Sequence, residues 1–104
     1  MKLILITTPT FFTEEDQILT ALFEEGLEVL HLRKPGADPL YAERLLSLIP
    51  SLYHKRIVIH DHFYLAKEFG LMGIHLNHRS PEIPEGYQGH ISCSCHSIDD
   101  VRRR

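Results

Sequence analysis

Cysteine is scarce in this chain of 104 residues, which contains only Cys93 and Cys95. A two-residue spacing in a predicted strand points both side chains the same way and suits a disulfide between them poorly. We therefore expect reduced thiols, which agrees with a cytoplasmic location. No second cysteine pair is present to complete a zinc ribbon, so we expect these small side chains to fill space in a strand.

Basic charge and long apolar runs are scarce as well. Eleven lysines and arginines stand against fourteen acidic residues, and the formal net charge is −3. This balance lacks the basic face typical of nucleic-acid binding, and the run of arginines at 102–104 is best explained as a solvated chain end. The apolar stretch after Lys2 is too short for a signal-peptide core or a membrane span. The sequence predicts a cytoplasmic protein that binds neither nucleic acid nor membranes.

Apolar segments with strand character alternate with helical segments along the chain. Strands are predicted at residues 2–8, 28–33, 56–60, 72–76 and 90–95. Thr13 to Asp16 supply the start of a first helix, and Asp38 with Pro39 begins a second. A short third helix runs from Phe63 to Phe69 before Gly70, and a last helix begins at Ser97. The predicted buried positions are Ile18, Leu19, Leu22 and Phe23 in the first helix, and Leu40, Leu45, Leu46, Leu48 and Ile49 in the second.

This alternation predicts an α/β fold with parallel strands and right-handed crossovers. No Gly-x-Gly-x-x-Gly follows the first strand, which disfavours a dinucleotide-binding sheet. A TIM (β/α)₈ barrel fits better, but such barrels typically need about 250 residues. Residues 1–104 are therefore predicted to form a single partial barrel whose carboxyl-terminal half is missing. Because two sheet edges stay unpaired, we expect this form alone to be poorly folded or a homo-oligomer.

Six of the eight histidines lie where apolar strand segments end. They are His31, His60, His62, His75, His78 and His96. Because ligands bind at the carboxyl edge of parallel sheets, this pattern predicts a site assembled from several strands. His54 and His90 precede strands, which places them on the face that serves stability.

The strand ends resemble those of the thiamine-phosphate synthase superfamily, which also contains the thiazole tautomerase branch called TenI. Leu30-His31-Leu32-Arg33 resembles the family's V-Q/H-L/I-R, and Ile59-His60-Asp61-His62 resembles I-N-D-R. Gly73-Ile74-His75-Leu76 resembles G-V-H-L, and Ser94-Cys95-His96-Ser97 resembles S-x-H-S. The resemblance covers essentially all 104 residues and corresponds to the amino-terminal part of such a barrel.

Several positions depart from the synthase pattern. In the synthases two aspartates hold Mg²⁺; Asp61 matches the first, whereas the second position is Ser80. One carboxylate holds Mg²⁺ poorly. The family's Gln-x-Arg-x-Lys becomes His31-Leu32-Arg33-Lys34-Pro35, so its lysine is lost or shifted by one. His60 and His62 replace asparagine and arginine. These departures favour the metal-independent tautomerase branch.

The resemblance implies an enzyme of thiamine biosynthesis that aromatises a thiazole carboxylate phosphate. His96 would be the general acid and base, since an imidazole near neutral pH can remove and return a proton. His31 and Arg33 would orient the carboxylate, and His60 and Ser94 would complete the binding of the ligand. No cofactor is expected for this reaction.

Other functions compete with this hypothesis. Thiamine-phosphate synthase itself would couple a pyrimidine pyrophosphate to thiazole phosphate and would use Asp61 to hold Mg²⁺. A relative that binds thiazole phosphate without catalysis is an alternative from another class. His60 and His62 have the H-x-H spacing of zinc-dependent barrel hydrolases, which makes a zinc site a further alternative. His75 is expected to fill the barrel interior rather than to bind a ligand. Cys95 is expected to be too poorly placed for a nucleophile activated by His96.

Overall fold

Short aliphatic runs form the strands of one parallel sheet. In the computed structural model, residues 3–77, 81–87 and 89–93 are described. Within these ranges the strands are β1 (Ile4–Ile6), β2 (Val29–Leu32), β3 (Ile57–Ile59), β4 (Gly73–Leu76) and β5 (His90–Cys93). They pair in the order β1-β2-β3-β4-β5, each parallel to the next. The predicted α/β architecture is confirmed, and the first four strands are shorter than predicted.

Helices connect the first four strands. They are α1 (Glu15–Glu24), α2 (Pro39–Leu48) and α3 (Tyr64–Phe69), with a 3₁₀ helix at Ser51–Arg56 before β3. The predicted start of α2 is confirmed: Asp38 Oδ1 accepts a hydrogen bond of 2.9 Å from the Leu40 amide, and Pro39 opens the helix. Gly70 ends α3 in the left-handed conformation. Across the described ranges, no helix is both long and apolar enough to cross a membrane.

The start of α1 differs from the prediction. Glu14 occupies the N-cap with a φ of 68°, and no side chain caps the first turn. The 3₁₀ helix, with Pro50 at its N-cap, is not among the elements predicted from the sequence. That helix positions His54, whose Nε2 lies 2.8 Å from the Leu46 carbonyl and 3.0 Å from the Ile49 carbonyl. His54 is buried and structural, as its place before β3 predicted.

Helices pack on one face of the sheet and enclose the core. Alternate strand residues join residues of the helices in that core, among them Leu30, Leu32, Ile57, Ile59, Ile74 and Leu76 with Leu19, Phe23, Leu45 and Leu46. Leu40 and Leu48 were predicted to be buried but are 66% and 54% exposed. The helical stripe runs instead through Ala42, Leu45, Leu46 and Ile49, all of them buried. Ile18 and Leu22 are likewise exposed, at 49% and 38%.

The opposite face of the sheet carries the remaining strand positions. On β1 these are Ile4 and Ile6, which are 53% and 56% exposed. On the next strands the same face presents Val29 with His31 and Val58 with His60, by the two-residue period of a strand. In a closed barrel this face is the interior, so the histidines near the carboxyl edge lie at the inner rim of the mouth.

Candidate active site at the carboxyl edge of the sheet

Three histidines from neighbouring strands form a cluster at this rim. His31 lies in β2, His60 directly follows β3, and His75 lies in β4. Nδ1 of His31 is 2.8 Å from Nε2 of His60, which is a hydrogen bond between two imidazoles. One ring nitrogen from each of the three lies within 4.8 Å of the others. The predicted assembly of a polar site from several strands is thereby realised for His31, His60 and His75, which we call the histidine cluster.

Neighbouring polar groups hold the histidine cluster in place. Ser92 in β5 lies opposite His75 in the strand register, and its Oγ is 2.6 Å from Nδ1 of that ring. Asn77 donates from Nδ2 to the backbone carbonyl of His60 at 2.6 Å. His60 directly follows β3, and its backbone is held on two sides: its amide donates to the Leu32 carbonyl at 3.1 Å, and its carbonyl accepts from Asn77. The rings are positioned by the sheet rather than by mobile loops.

Burial shifts the proton equilibria of the histidine cluster. It lowers the pKa of His31, and the charges of His75 and His90 lower that pKa further. Burial alone lowers the pKa of His75. Both rings are therefore neutral at pH 7, and each carries one N–H and one lone pair. Such rings can pass a proton, hold a polar ligand or coordinate a metal.

Arg33 follows β2 directly and is half-buried. Its backbone amide donates to Thr7 Oγ1 at 3.0 Å, and its carbonyl accepts from the same hydroxyl at 3.1 Å. The end of β2 is thus anchored to the loop after β1 through the backbone of Arg33.

Lys34 is buried in an ion pair with Glu15, a contact that sequence reasoning missed. Its Nζ lies 2.5 Å from Glu15 Oε2 and donates at 2.8 Å to the carbonyls of both Thr8 and Thr10. The Phe11 ring centroid lies 4.9 Å from the same ammonium group. Three oxygen acceptors match the three protons of an ammonium group, so Lys34 is fully engaged inside the protein. Local sequence carried no signal for this pair, because its members are nineteen positions apart.

His62 does not join the histidine cluster. It has a φ of 54°, and its Nε2 lies 2.9 Å from the Ala37 carbonyl on the helix side of the mouth. The left-handed turn breaks the strand alternation that the H-x-H pattern assumes, so His60 and His62 do not converge. This geometry disfavours the zinc alternative considered for that pair. His75 does lie on the inner face, as predicted, but in contact with two other imidazoles.

Asp61 is the residue that would hold Mg²⁺ in a synthase. It is half-buried just past β3 and lines a small cleft with Lys34, Asp38 and His62. Asp38 is engaged as the cap of α2, and Lys34 is bound to Glu15. A lone carboxylate is a poor match for Mg²⁺, which prefers octahedral oxygen ligands.

Several predicted site residues lie outside the described residues. They are Ser80, Ser94, Cys95 and His96, together with the helix predicted from Ser97. In sequence, Ser94 and His96 come shortly after β5, the strand that pairs with β4 beside His75.

The fold and the polar rim define a protein class: a βα-repeat protein with a parallel sheet and a ligand site at its carboxyl edge. No protein-family model matches the sequence, and a search of curated proteins finds no match. Among solved structures, the chain is similar to the crystal structure of thiamine phosphate pyrophosphorylase from Bacteroides thetaiotaomicron. The two are 66% identical with a TM-score of 0.93, over 100% of this chain and 53% of the other.

The chain belongs to the thiamine-phosphate synthase and TenI superfamily. It corresponds to an amino-terminal part of the family's barrel. It spans about half the length of the solved structure that it matches. The resemblance inferred from the four strand-end motifs is confirmed at this level, including its place in the thiamine-biosynthesis family.

Proposed function

We propose that this protein acts as a thiazole tautomerase, which aromatises a thiazole carboxylate phosphate by proton transfer and needs no cofactor. The hydrogen bond of 2.8 Å between His31 Nδ1 and His60 Nε2 carries the proposal. This bond orients two imidazoles at the inner rim, where a ligand of a parallel sheet binds, and burial lowers the pKa of His31. Tautomerisation moves a proton between two atoms of one ring, so it needs acid–base groups and no leaving-group chemistry.

Two features disfavour the chemistry of a pyrophosphate leaving group. Lys34, the lysine next to the family position, is saturated by Glu15 and two carbonyls and has no proton left for a phosphate. Asp61 is a single carboxylate where a magnesium site needs more. A tautomerase needs neither group, because its reaction releases no charged leaving group.

The proposed roles follow the sequence motifs. His96 is the general acid and base, and Ser94 assists in positioning the ligand. Arg33 and His31 orient the carboxylate, since a guanidinium fork binds a carboxylate through two hydrogen bonds. His60 contacts the ligand and holds the His31 ring through their shared hydrogen bond, which fixes the tautomer of both imidazoles.

The test follows the ultraviolet absorbance of the aromatic product after the non-aromatic tautomer is added to the intact protein. We expect turnover by the wild type and a loss of about 100-fold or more in His96→Ala, in line with general acid–base catalysis. His62→Asn is the matched control, because it removes an imidazole that is directed at Ala37 and keeps a residue tolerant of positive φ. Its rate should stay within about twofold of wild type. Undiminished turnover by His96→Ala, or none by the wild type, contradicts the proposal.

Thiamine-phosphate synthesis is the second candidate, because the similar solved structure is that of a thiamine phosphate pyrophosphorylase. It predicts coupling of a pyrimidine pyrophosphate to thiazole phosphate that depends on Mg²⁺ and is lost in Asp61→Asn. The tautomerase proposal predicts no coupling under the same conditions. Running both assays on one preparation decides between the two reactions, and calorimetric binding of thiazole phosphate without either turnover indicates a non-catalytic binder.

A further inference from the structure

We propose that His31, His60 and His75 together form a binding site for a divalent transition metal, with Zn²⁺ as its best-matched ion. This inference rests on the geometry of the histidine cluster and not on the proposed tautomerase. It also differs from the H-x-H pattern, since it takes one histidine from each of three consecutive strand segments.

The distances suit a metal with little rearrangement. Zinc binds imidazole nitrogen at roughly 2.0–2.1 Å, which places the nitrogens of a tetrahedral site about 3.3 Å apart. One nitrogen of each ring already lies within 4.8 Å of the other two, and one pair is at 2.8 Å. Closing the cluster around an ion therefore requires shifts of about 1–2 Å, which side-chain rotation supplies without moving the strands.

The chemistry of the ligands selects the ion. Three imidazoles without a carboxylate suit zinc, copper or nickel, whereas Mg²⁺ and Ca²⁺ prefer oxygen. Three histidines with an open fourth position are the ligand set of a catalytic zinc site, so a carboxylate or water would complete the tetrahedron. The mouth of the sheet supplies the access that this fourth ligand needs.

The surroundings of His75 match those of a metal-bound histidine. A ligating imidazole usually bonds through its second nitrogen to an oxygen, which fixes its tautomer. Here Ser92 Oγ lies 2.6 Å from Nδ1 of His75, which assigns coordination to Nε2. Asn77 similarly fixes the backbone of His60 through its carbonyl. A metal would replace the hydrogen bond between His31 and His60, so the ion and this bond are alternative states of one site.

The test measures metal stoichiometry in the intact protein. After treatment with a chelator and dialysis against Zn²⁺, we expect about one zinc per chain by elemental analysis for the wild type. His31→Gln and His75→Gln should each lower zinc affinity by at least tenfold in a competition titration with a chromogenic chelator. His62→Asn should retain wild-type affinity. Replacing zinc by Co²⁺ should yield the visible absorption bands of a tetrahedral site, and these should disappear in His75→Gln.

Three outcomes overturn the proposal. The first is absence of stoichiometric zinc in the wild type, and the second is undiminished affinity in both His31→Gln and His75→Gln. A double variant with Cys93→Ser and Cys95→Ser tests the chain's other soft ligands, and loss of zinc there also contradicts the histidine site. Circular dichroism of each variant identifies a loss of fold, and His31→Gln serves where His75→Gln does not fold. All these readouts are independent of tautomerase activity.

Discussion

The imidazole of His60 stacks on that of His75, with ring centroids 4.2 Å apart and planes inclined by 20°. The ring of His31 meets both at steeper angles, 76° to His60 and 69° to His75. His31 and His75 resist protonation, because burial lowers the pKa of both rings and nearby histidine charges lower that of His31 further. Protonation of these histidines at low pH therefore favours the unfolded state.

We expect the metal-free protein to lose stability as the pH falls below about 6.5, the ordinary histidine value. Burial, and for His31 the nearby histidine charges, lower these pKa values, so the unfolded chain binds more protons than the folded chain in that window. The free energy of unfolding should be flat above it and fall towards pH 5. Urea unfolding from pH 8 to 5 measures this, and His75→Gln should show a shallower fall. An equally steep profile in that variant would place the titrating groups elsewhere.

The ion pair of Lys34 and Glu15 should behave as a buried pair. Both side chains are at most 4% exposed, so removing one partner leaves a charge in a desolvated site. Lys34→Met or Glu15→Leu alone should cost about 3–5 kcal/mol, whereas the double variant should lie close to wild type. Chemical denaturation of the four proteins completes the cycle. Additive single effects would mean that the two groups do not interact.

Gly73 should not tolerate a side chain. A Cβ at this position would contact the backbone carbonyl of His90 and lie 2.7 Å from the Cβ of His90, where β4 and β5 pair. Gly73→Ala should therefore destabilise the protein by about 1–3 kcal/mol and loosen β5. Gly36→Ala is the comparison: its Cβ meets nothing within 4 Å, and only a left-handed φ of 75° opposes it. Thermal unfolding should rank Gly73→Ala as the more damaging change.

Glu14 offers a stabilising substitution. It holds a φ of 68° at the start of α1, and its side chain makes no cap hydrogen bond that would offset the energetic cost of this conformation. Glu14→Asn should raise stability by about 0.5–1 kcal/mol, because asparagine adopts this region more readily. Glu28→Asn removes an exposed acid elsewhere and should change stability by less than about 0.5 kcal/mol. Equal midpoints in urea for Glu14→Asn and wild type would refute the strain argument.

The sheet could be predicted because local patterns determine it. Val29 to Leu32 and Ile57 to Ile59 are apolar runs followed by polar residues, and parallel pairing follows from their alternation with helices. The cap of α2 could be predicted equally well, because Asp38 and Pro39 are adjacent in the sequence. The place of His31 and His75 near one edge followed from the same reasoning.

The rest depended on contacts between distant residues. The pair of Lys34 with Glu15 joins the loop after β2 to the first turn of α1, and no local sequence pattern indicates it. His62 left the strand alternation because its backbone turns to positive φ, which sequence spacing does not reveal. The exposed Leu40 and Leu48 show a related limit. A leucine in a helical segment indicates an apolar position, but it does not indicate which side of the helix packs against the sheet. Tertiary packing decided all three.

Lys34 also determines how the mouth of the sheet behaves. Its ammonium group connects the end of β2 to Thr8, Thr10 and the first turn of α1, and Thr7 bonds the backbone on either side of Arg33. The loop after β1 is thereby tied to β2 and α1 by several hydrogen bonds. A ligand bound at this side of the mouth would meet a surface shaped in advance, so we expect selectivity here to come from preformed fit and binding to incur little loss of loop entropy.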